Sequence, residues 1–363
     1  MTTVRTWKAS RRVISTKARV RRVLGSKAAI FARLTADQPR YGSIVREPQR
    51  ARVLVTGGAG FVGRAVLGAL EARGFASVVA PPSWQYDLTQ PEAVDKMFAD
   101  AQPDVVVHLA ARVGGIGANR AHPAELYLAN LLMGTYVIEA ARRLQTSKLV
   151  LLGTICSYPK LAAVPFRESS LWDGYPEETN APYGIAKKAL LVHAQANRAE
   201  YGQHIIYLMS TNLYGPGDKF HPDVSHVIPA LIKKFVEAKE SGLPEVEVWG
   251  TGSASREFLF VDDAARGIVA ALESYEGADP VNLGSGEELP IRDLVAKISE
   301  IVGYDGGIRW DASKPDGQPR RNLDVSRARD LFGFEATTPL DDGLRRTVEW
   351  YLSNRNEAEA RGA

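Results

Sequence analysis

The stretch ARVLVTGGAGFVGRAVLGALEARG (residues 51–74) decides the fold. Val53 to Thr56 is a short run rich in β-branched residues and reads as a strand, a glycine-rich turn follows, and the remainder has amphipathic helical spacing up to Gly74. Gly57, Gly60 and Gly63 stand in a G-x-x-G-x-x-G spacing. Glycines there let the backbone approach a pyrophosphate, and the helix N-terminus that follows offers free N–H groups and the positive end of a dipole. A glycine triplet alone also suits an ordinary tight turn. Its place between a strand and a helix makes it a dinucleotide-binding signal.

Strand and helix keep alternating outward from this stretch. ASVVA (76–80) reads as a second strand and DLTQPEAVDKMFADA (87–101) as a helix capped near Asp87. PDVVVHLAA (103–111) is a third strand, roughly 123–144 a helix, and KLVLLGT (148–154) a fourth strand. Apolar strands alternating with helices mean a parallel sheet covered on both faces, with ligands beyond the carboxyl ends of the strands. The expected fold class is α/β: a Rossmann-like doubly wound parallel sheet with a smaller C-terminal substrate-binding domain. Residues 51–220 are assigned mainly to the first and 221–353 mainly to the second, with some later segments returning to the sheet and 354–363 as a tail.

Residues 1–50 hold 13 Lys/Arg against 2 Asp/Glu, net +11, so with a whole-chain charge of +3 the rest carries −8. A mildly acidic globular part lacks the basic footprint of nucleic-acid binding, so no nucleic acid is expected there. The leader reads as a flexible tail, as an amphipathic helix touching anionic lipid or RNA, or as a transit-like peptide. No apolar run approaches the roughly 18 residues that span a bilayer. One cysteine in 363 residues makes no internal disulfide and favours a reducing, cytoplasmic setting.

That cysteine lies in GTICSYPK (153–160), at the carboxyl end of the fourth strand. A lone cysteine is usually a small core hydrophobe, but Cys156 is placed where cofactor and substrate belong. Downstream, Tyr183 and Lys187 of YGIAK are four apart and share a helix face. An ammonium beside a phenol stabilises the phenolate, lowering the phenol from about 10 toward working pH, and such a phenol exchanges a proton with a carbonyl oxygen during hydride transfer. Alone, the pair also fits an ordinary helix surface. Combined with the glycine turn and the Thr154 hydroxyl, it points to a reductase.

These residues resemble the extended short-chain dehydrogenase/reductase superfamily and, in detail, the GDP-L-fucose synthases, which are GDP-4-keto-6-deoxy-D-mannose 3,5-epimerase/4-reductases. The resemblance is carried by HLAARVGGIGAN (108–119), GTICSYPK, APYGIAKK (181–188), TNLYGPGDKFHPDVSHVIPAL (211–231), VWGTGSASREFLFVDD (248–263) and DASKPDGQPRRNLDV (311–325), over about 51–353. It implies that Tyr183 is the acid of the 4-keto reduction, that Lys187 is its partner, and that Thr154 stands where family members have a ketone-binding serine. Cys156 and His226 are implied as the acid/base pair of the two epimerisations. A thiol of pKa about 8.5 and an imidazole of about 6.5 suit that task near neutrality; His226 equally suits a structural place before VIPAL.

The resemblance also implies a cofactor along Gly57, Gly60, Phe61, Val62, Gly63, Asp87, Leu109, Ala110, Ala111, Lys187, Asn212 and Leu213. A GDP-sugar substrate is implied at Lys234, Trp249, Arg256, Asp316 and Arg321, where Lys233 and Arg320 are further candidate cations and Trp249 equally fits a core. A homodimer and no metal are expected. The cofactor stays open between NADP(H), by resemblance, and NAD(H). Family members carry arginines in the glycine loop and after the second strand, where this chain has Ala59 and APPSWQYD. No acidic residue ends that strand to bond a free ribose either. The rival readings are an enzyme of another GDP-4-keto sugar such as a heptose, an epimerase without net reduction, and a non-catalytic nucleotide-sugar scaffold.

Overall fold

A computed structural model of the chain describes residues 48–360, apart from 223 and 315. The basic leader lies outside the described residues except for its last three.

The main sheet contains β1 (Arg52–Thr56), β2 (Ser77–Val79), β3 (Val105–His108), β4 (Lys148–Thr154), β5 (Ile205–Ser210) and β9 (Val281–Leu283) in the order β2-β1-β3-β4-β5-β9. All five pairings are parallel. The expected doubly wound α/β sheet is what the chain forms. Helices Pro91–Ala101, Pro123–Arg143 and Ala181–Tyr201 bury one face around Leu54, Val106, Leu149, Leu151 and Tyr207. Helices Phe61–Ala72, Val261–Ser274 and Ser326–Phe332 bury the other around Val53, Val55, Val107, Val150 and Leu208. Burying such a side chain fully contributes about 1.5–3 kcal/mol, so the strands that end at the site form a stiff floor for it. The order reverses between β1 and β3, the switch point where such sheets open a ligand crevice.

The remaining strands are β6 (Asn212–Tyr214), β7 (Glu245–Trp249), β8 (Ser255–Phe260), β10 (Glu288–Pro290), β11 (Gly307–Asp311) and β12 (Arg320–Arg321). β8 pairs with β6, β10 and β12, and β7 with β11. With helices Val227–Glu240, Ile291–Val302 and Leu340–Ser353 they enclose a third apolar cluster around Phe220, Phe235, Phe260 and Tyr351.

Two local details differ from the sequence reading. The second helix starts at Pro91, with Gln90 as its N-cap. Asp87 instead accepts from Thr89 N (2.9 Å) and Thr89 Oγ1 (2.7 Å), an Asx turn that closes before the helix begins. The segment expected as a tail contains the helix Arg355–Ala360, anchored by buried Ala358 and by Tyr351 Oη donating to Glu359 (2.8 Å). Among the described residues no helix is long and apolar enough to cross a membrane.

Candidate active site

The glycine turn is a close-packed backbone cradle. Gly57 has φ +75° and Gly60 N donates to Gly57 O (3.0 Å), while a Cβ on Gly63 would lie 2.2 Å from that same oxygen. The turn also abuts β3: a Cβ on Gly57 would sit 2.7 Å from Ala110 N. Gly57, Phe61, Val62, Leu109, Ala110 and Ala111 are half-buried around this crevice, and Gly60 and Asp87 are exposed beside it. Asn212, with Nδ2 donating to Glu257 O (2.9 Å), and Leu213 are half-buried in β6. The cradle fits a dinucleotide pyrophosphate. For an extra phosphate on its ribose the sequence offers Ala59 and, after β2, Ala80 to Tyr86 without a cation. Arg64 reaches the loop from the first helix, with Nε donating to Ala59 O (3.2 Å) and Nη1 paired with Glu357 (3.1 Å).

Thr154 ends β4, and Ile155–Ser157 is a single 3₁₀ turn in which Cys156 N donates to Thr154 Oγ1 (3.2 Å). This bond leaves the hydroxyl proton of Thr154 free for another acceptor. The turn is pinned on both sides: Ser157 Oγ donates to Gly184 O (2.9 Å), and buried Tyr158 donates through Oη to Asn282 (2.5 Å). Gly184 permits the contact, because a Cβ there would lie 2.4 Å from Cys156 O. Sequence neighbours of Tyr183 and Cys156 are thereby locked together, leaving both side chains half-buried at the crevice.

Helix Ala181–Tyr201 carries Tyr183 and Lys187. Lys187 is 4% exposed and donates to Leu152 O (3.1 Å). Burial holds this amine down to about 8. The Tyr183 phenol does not show the lowered value expected from Y-x-x-x-K. Loss of hydration, and secondly the charge of Cys156, push it above its ordinary value. Loss of hydration dominates there, so Tyr183 holds its proton at neutral pH. His108 lies on β3 with Nδ1 2.7 Å from Thr56 Oγ1. Burial, then Lys187, holds that imidazole down to about 3, so it is neutral.

One arginine, from β12, reaches the thiol, and a second lies on the neighbouring strand β8. Arg321 Nη1 donates to Cys156 Sγ (3.6 Å) and Arg321 Nε to Gln318 Oε1 (2.8 Å). Arg256 donates to Ser255 O (2.7 Å) and Asp316 O (3.0 Å). Burial and then the like charge of Arg321 hold Arg256 down to about 10, against opposing pulls from Cys156, Asp316 and Glu177. The carboxylate of Asp316 accepts from Thr251 N and Oγ1 (both 2.7 Å), tying loop 250–253 to loop 316–319.

Thr154, Cys156 and Arg321 are therefore joined by hydrogen bonds, while Lys187 bonds the end of β4 and Arg256 the backbone of Ser255 and Asp316. Lys234 and Trp249 form a separate group: Trp249 is 57% exposed, with the Lys234 and Lys314 ammonium groups 5.9 and 5.5 Å from its ring centre. Trp249 thus does not take a core place. Lys233 turns to Glu237 (3.6 Å) and Glu359 (3.4 Å), and Arg320 to Glu288. His226 caps helix Val227–Glu240 and is linked to the Cys156 group by no hydrogen bond among the described residues. Its surface is exposed, yet crowding by protein around it, then Lys219, pushes its imidazole down. A Cβ on Gly115 would lie 2.6 Å from Ser225 O, so the loop after β3 closes on the segment before His226.

Sequence reasoning missed Glu177, Gln318 and Glu257. Glu177 stands 3.8 Å from Arg321 Nη2 and is held by Thr179 and Asn180 (2.6 and 2.8 Å). Glu257 is fully buried, pushed up to about 7 by loss of hydration against backbone bonds from Gly286, Leu323 and Ser285. Only its position beside Arg256 in SREFLF hinted at a tie between the sheets.

Residues 53–284 match the family model described as the NAD dependent epimerase/dehydratase family. The chain belongs to that family. Within it, this family member is 45% identical over 304 residues to GDP-L-fucose synthase 1 of Arabidopsis thaliana, covering 84% of this chain and 94% of the relative. A GDP-L-fucose synthetase of Naegleria fowleri, solved bound to NADP, superposes with a TM-score of 0.79 at 27% identity, covering 86% of this chain and 97% of that one. A GDP-6-OMe-4-keto-L-xylo-heptose reductase of C. jejuni superposes with a TM-score of 0.80 at 27% identity, covering 84% and 98%. The likeness to the GDP-L-fucose synthases thus runs through almost the whole of those relatives, as the motifs implied.

Proposed function

We propose that this family member converts GDP-4-keto-6-deoxy-D-mannose to GDP-L-fucose by inverting C3 and C5 and reducing C4 with NADPH. The observation that carries this reading is the joining of a thiol to a reductase site: the turn that carries Cys156 is pinned to Gly184, the neighbour of Tyr183, and Arg321 Nη1 donates to Cys156 Sγ (3.6 Å). A keto reduction needs a phenol and a lysine but no thiol. Inversion beside a ketone needs a group that removes a proton on one face and another that returns it on the other.

In this mechanism the C4 ketone makes its neighbouring C–H bonds acidic. Cys156 and His226 are the acid/base pair: one takes the carbon-bound proton while an enolate forms, and the other delivers a proton to the opposite face. Thr154 hydrogen-bonds the C4 oxygen. The bound cofactor supplies hydride to C4. Tyr183 gives its phenolic proton to the C4 oxygen, and the Lys187 charge stabilises the resulting phenolate. Arg256 and Arg321 face the diphosphate, for which a planar guanidinium is suited, and Trp249 with Lys234 flanks the nucleotide. The dinucleotide lies along the Gly57–Gly63 turn, Leu109 to Ala111, Asn212 and Leu213, with Asp87 at its rim.

We assign residues 51–220 mainly to cofactor binding and 221–353 mainly to the nucleotide sugar. A homodimer is supported by an outward apolar face at helical spacing: Leu128, Leu132 and Thr135 on one helix, and Ile185, Ala189, Val192 and Ala196 on its neighbour, all half-buried or exposed. The thiol in the crevice fits a reducing, cytoplasmic setting. The heptose-reductase likeness supports a second reading, in which another GDP-4-keto sugar is the substrate. Cofactor-free deuterium uptake from heavy water into GDP-4-keto-6-deoxy-D-mannose, followed by NADPH oxidation on that sugar, tests the assignment. Neither event occurring rejects it.

A further inference from the structure

Glu257 is fully buried on β8, one residue after Arg256. Successive strand residues face opposite sides, so Glu257 points away from the face that Arg256 shares with Arg321, its partner in the parallel β8–β12 register. The carboxylate is spent on three backbone N–H groups from two other segments. Oε1 accepts from Ser285 N (2.6 Å) and Gly286 N (2.9 Å), just after β9 of the main sheet, and Oε2 accepts from Leu323 N (2.7 Å), two residues after Arg321. The Glu257 carbonyl takes Asn212 Nδ2 (2.9 Å) and Thr211 Oγ1 (3.2 Å). The fit is close, since a Cβ on Gly284 would lie 2.0 Å from Oε1. Strand β12 is two residues long and pairs with β8 at those two positions alone, so the bond from Leu323 N is the next tie of this segment to β8. The like charge of Arg321 weighs on Arg256, and two strands that carry repelling guanidinium groups need a fastening that does not depend on those groups.

We propose that Glu257 is a positioning residue of the nucleotide-sugar site: by fastening the segment after β12 and the loop after β9 to β8, it holds Arg321 beside Arg256 where the diphosphate binds. This deepens the GDP-sugar reading and rests on it. Glu257 meets neither sugar nor cofactor and acts through Arg321. Because the carboxylate is buried, an acceptor lost there is not replaced by water.

The test titrates GDP and, separately, NADPH into the full chain by calorimetry. Glu257→Gln keeps one acceptor oxygen; with that oxygen on Ser285 and Gly286, its amide nitrogen meets Leu323 N, donor against donor, and the hold on the segment after Arg321 is lost. Glu257→Gln should weaken GDP binding at least fivefold and leave NADPH within twofold. In an Arg321→Ala background the same change should weaken GDP less than twofold, because residues that act through one another do not add. A smaller loss of GDP in the otherwise wild-type chain, a loss of NADPH beyond twofold, or a loss of twofold or more beside Arg321→Ala overturns the proposal; the last two are what a carboxylate that only stabilises the fold would give. Should Glu257→Gln not fold, Gly284→Ala decides: the added Cβ pushes on Oε1, the end of a flexible side chain, and should weaken GDP at least threefold with NADPH within twofold, any other pattern overturning the idea. A wild type that binds NADPH but no GDP rejects the GDP-sugar reading and this assignment with it, whereas failure in the variants alone leaves that reading standing.

Discussion

Lys187 donates to the carbonyl of Leu152, 3.1 Å away and two residues before Thr154. The bond seats the ammonium under the end of β4, out of water, and burial holds it down to about 8. Its charge serves the Tyr183 phenolate only while the amine is protonated. NADPH-linked reduction should therefore fall above pH 8, approaching tenfold per unit, while deuterium uptake into the sugar lacks the same limb. The sign for stability is opposite. The folded value lies below the unfolded one of about 10.4, so between pH 8 and 10.4 the native protein binds fewer protons and this group's contribution to stability rises with pH. Melting curves at pH 7 and 9 separate the two effects. A flat reduction profile from pH 7 to 10 would dismiss the role of Lys187.

Tyr183→Phe removes one proton donor and little volume. Since burial keeps the phenol protonated, the lost group is the acid itself, and reduction should drop at least 1000-fold. Nucleotide-sugar affinity by calorimetry should stay within threefold. Retention of most wild-type turnover would remove Tyr183 from the chemistry.

Thr154 has two tasks that one substitution separates. Its oxygen accepts from Cys156 N and its proton is free for the ketone. Thr154→Val should lower reduction about 10- to 1000-fold, as loss of one oxyanion-type donor does, and Thr154→Ser should stay within fivefold of wild type. A change below twofold in the valine variant would make Thr154 a packing residue.

The parts readable in the sequence are those whose chemistry is local. The Gly57–Gly63 turn needs its spacing and its flanking strand and helix, and Tyr183 with Lys187 needs one helix turn. The direction of the Tyr183 shift was not readable, because it depends on how much water the folded crevice removes. Glu177 and Gln318 were not readable either: they matter only because β12, paired with β8, brings Arg321 to Cys156 in the turn after β4, a contact 165 positions long. His108 reads as one more strand residue until β1 places Thr56 against it. Lys233 and Lys234 look alike in sequence, but helix Val227–Glu240 turns one to Glu359 and the other to Trp249.

Arg256 is half-buried, and loss of hydration, then the like charge of Arg321, hold it below its usual value. A bound diphosphate offsets the repulsion, and a charge-assisted hydrogen bond contributes about 1.5–3 kcal/mol. Arg256→Ala should weaken GDP-sugar binding about 10- to 150-fold, with NADPH affinity within threefold. Equal loss of both ligands would mark a folding defect and reject the assignment.

Cys156 lies in the turn after β4 and His226 caps helix Val227–Glu240. Under the proposed mechanism two groups on separate elements serve inversion, which takes a proton from one face of a carbon and returns it to the other. A packing cysteine and a capping histidine would predict a different outcome: Cys156→Ser and His226→Asn would then shift stability and leave proton exchange alone. The clean measurement omits reduced cofactor and incubates enzyme with the 4-keto sugar in heavy water. Wild type should place deuterium at C3 and C5. Cys156→Ser replaces a thiol of ordinary pKa about 8.5 with an alcohol that hardly ionises, so it should lose at least nine-tenths of that exchange, as should His226→Asn. Tyr183→Phe should keep part of it, because the phenol acts on the C4 oxygen and not on the neighbouring carbons. With NADPH restored, Cys156→Ser should still transfer hydride and release a product reduced without inversion, seen as a D-sugar by chromatography against standards. Full exchange in the serine variant would return Cys156 to packing and leave the chain a 4-reductase whose inversions, if any, lie with other groups.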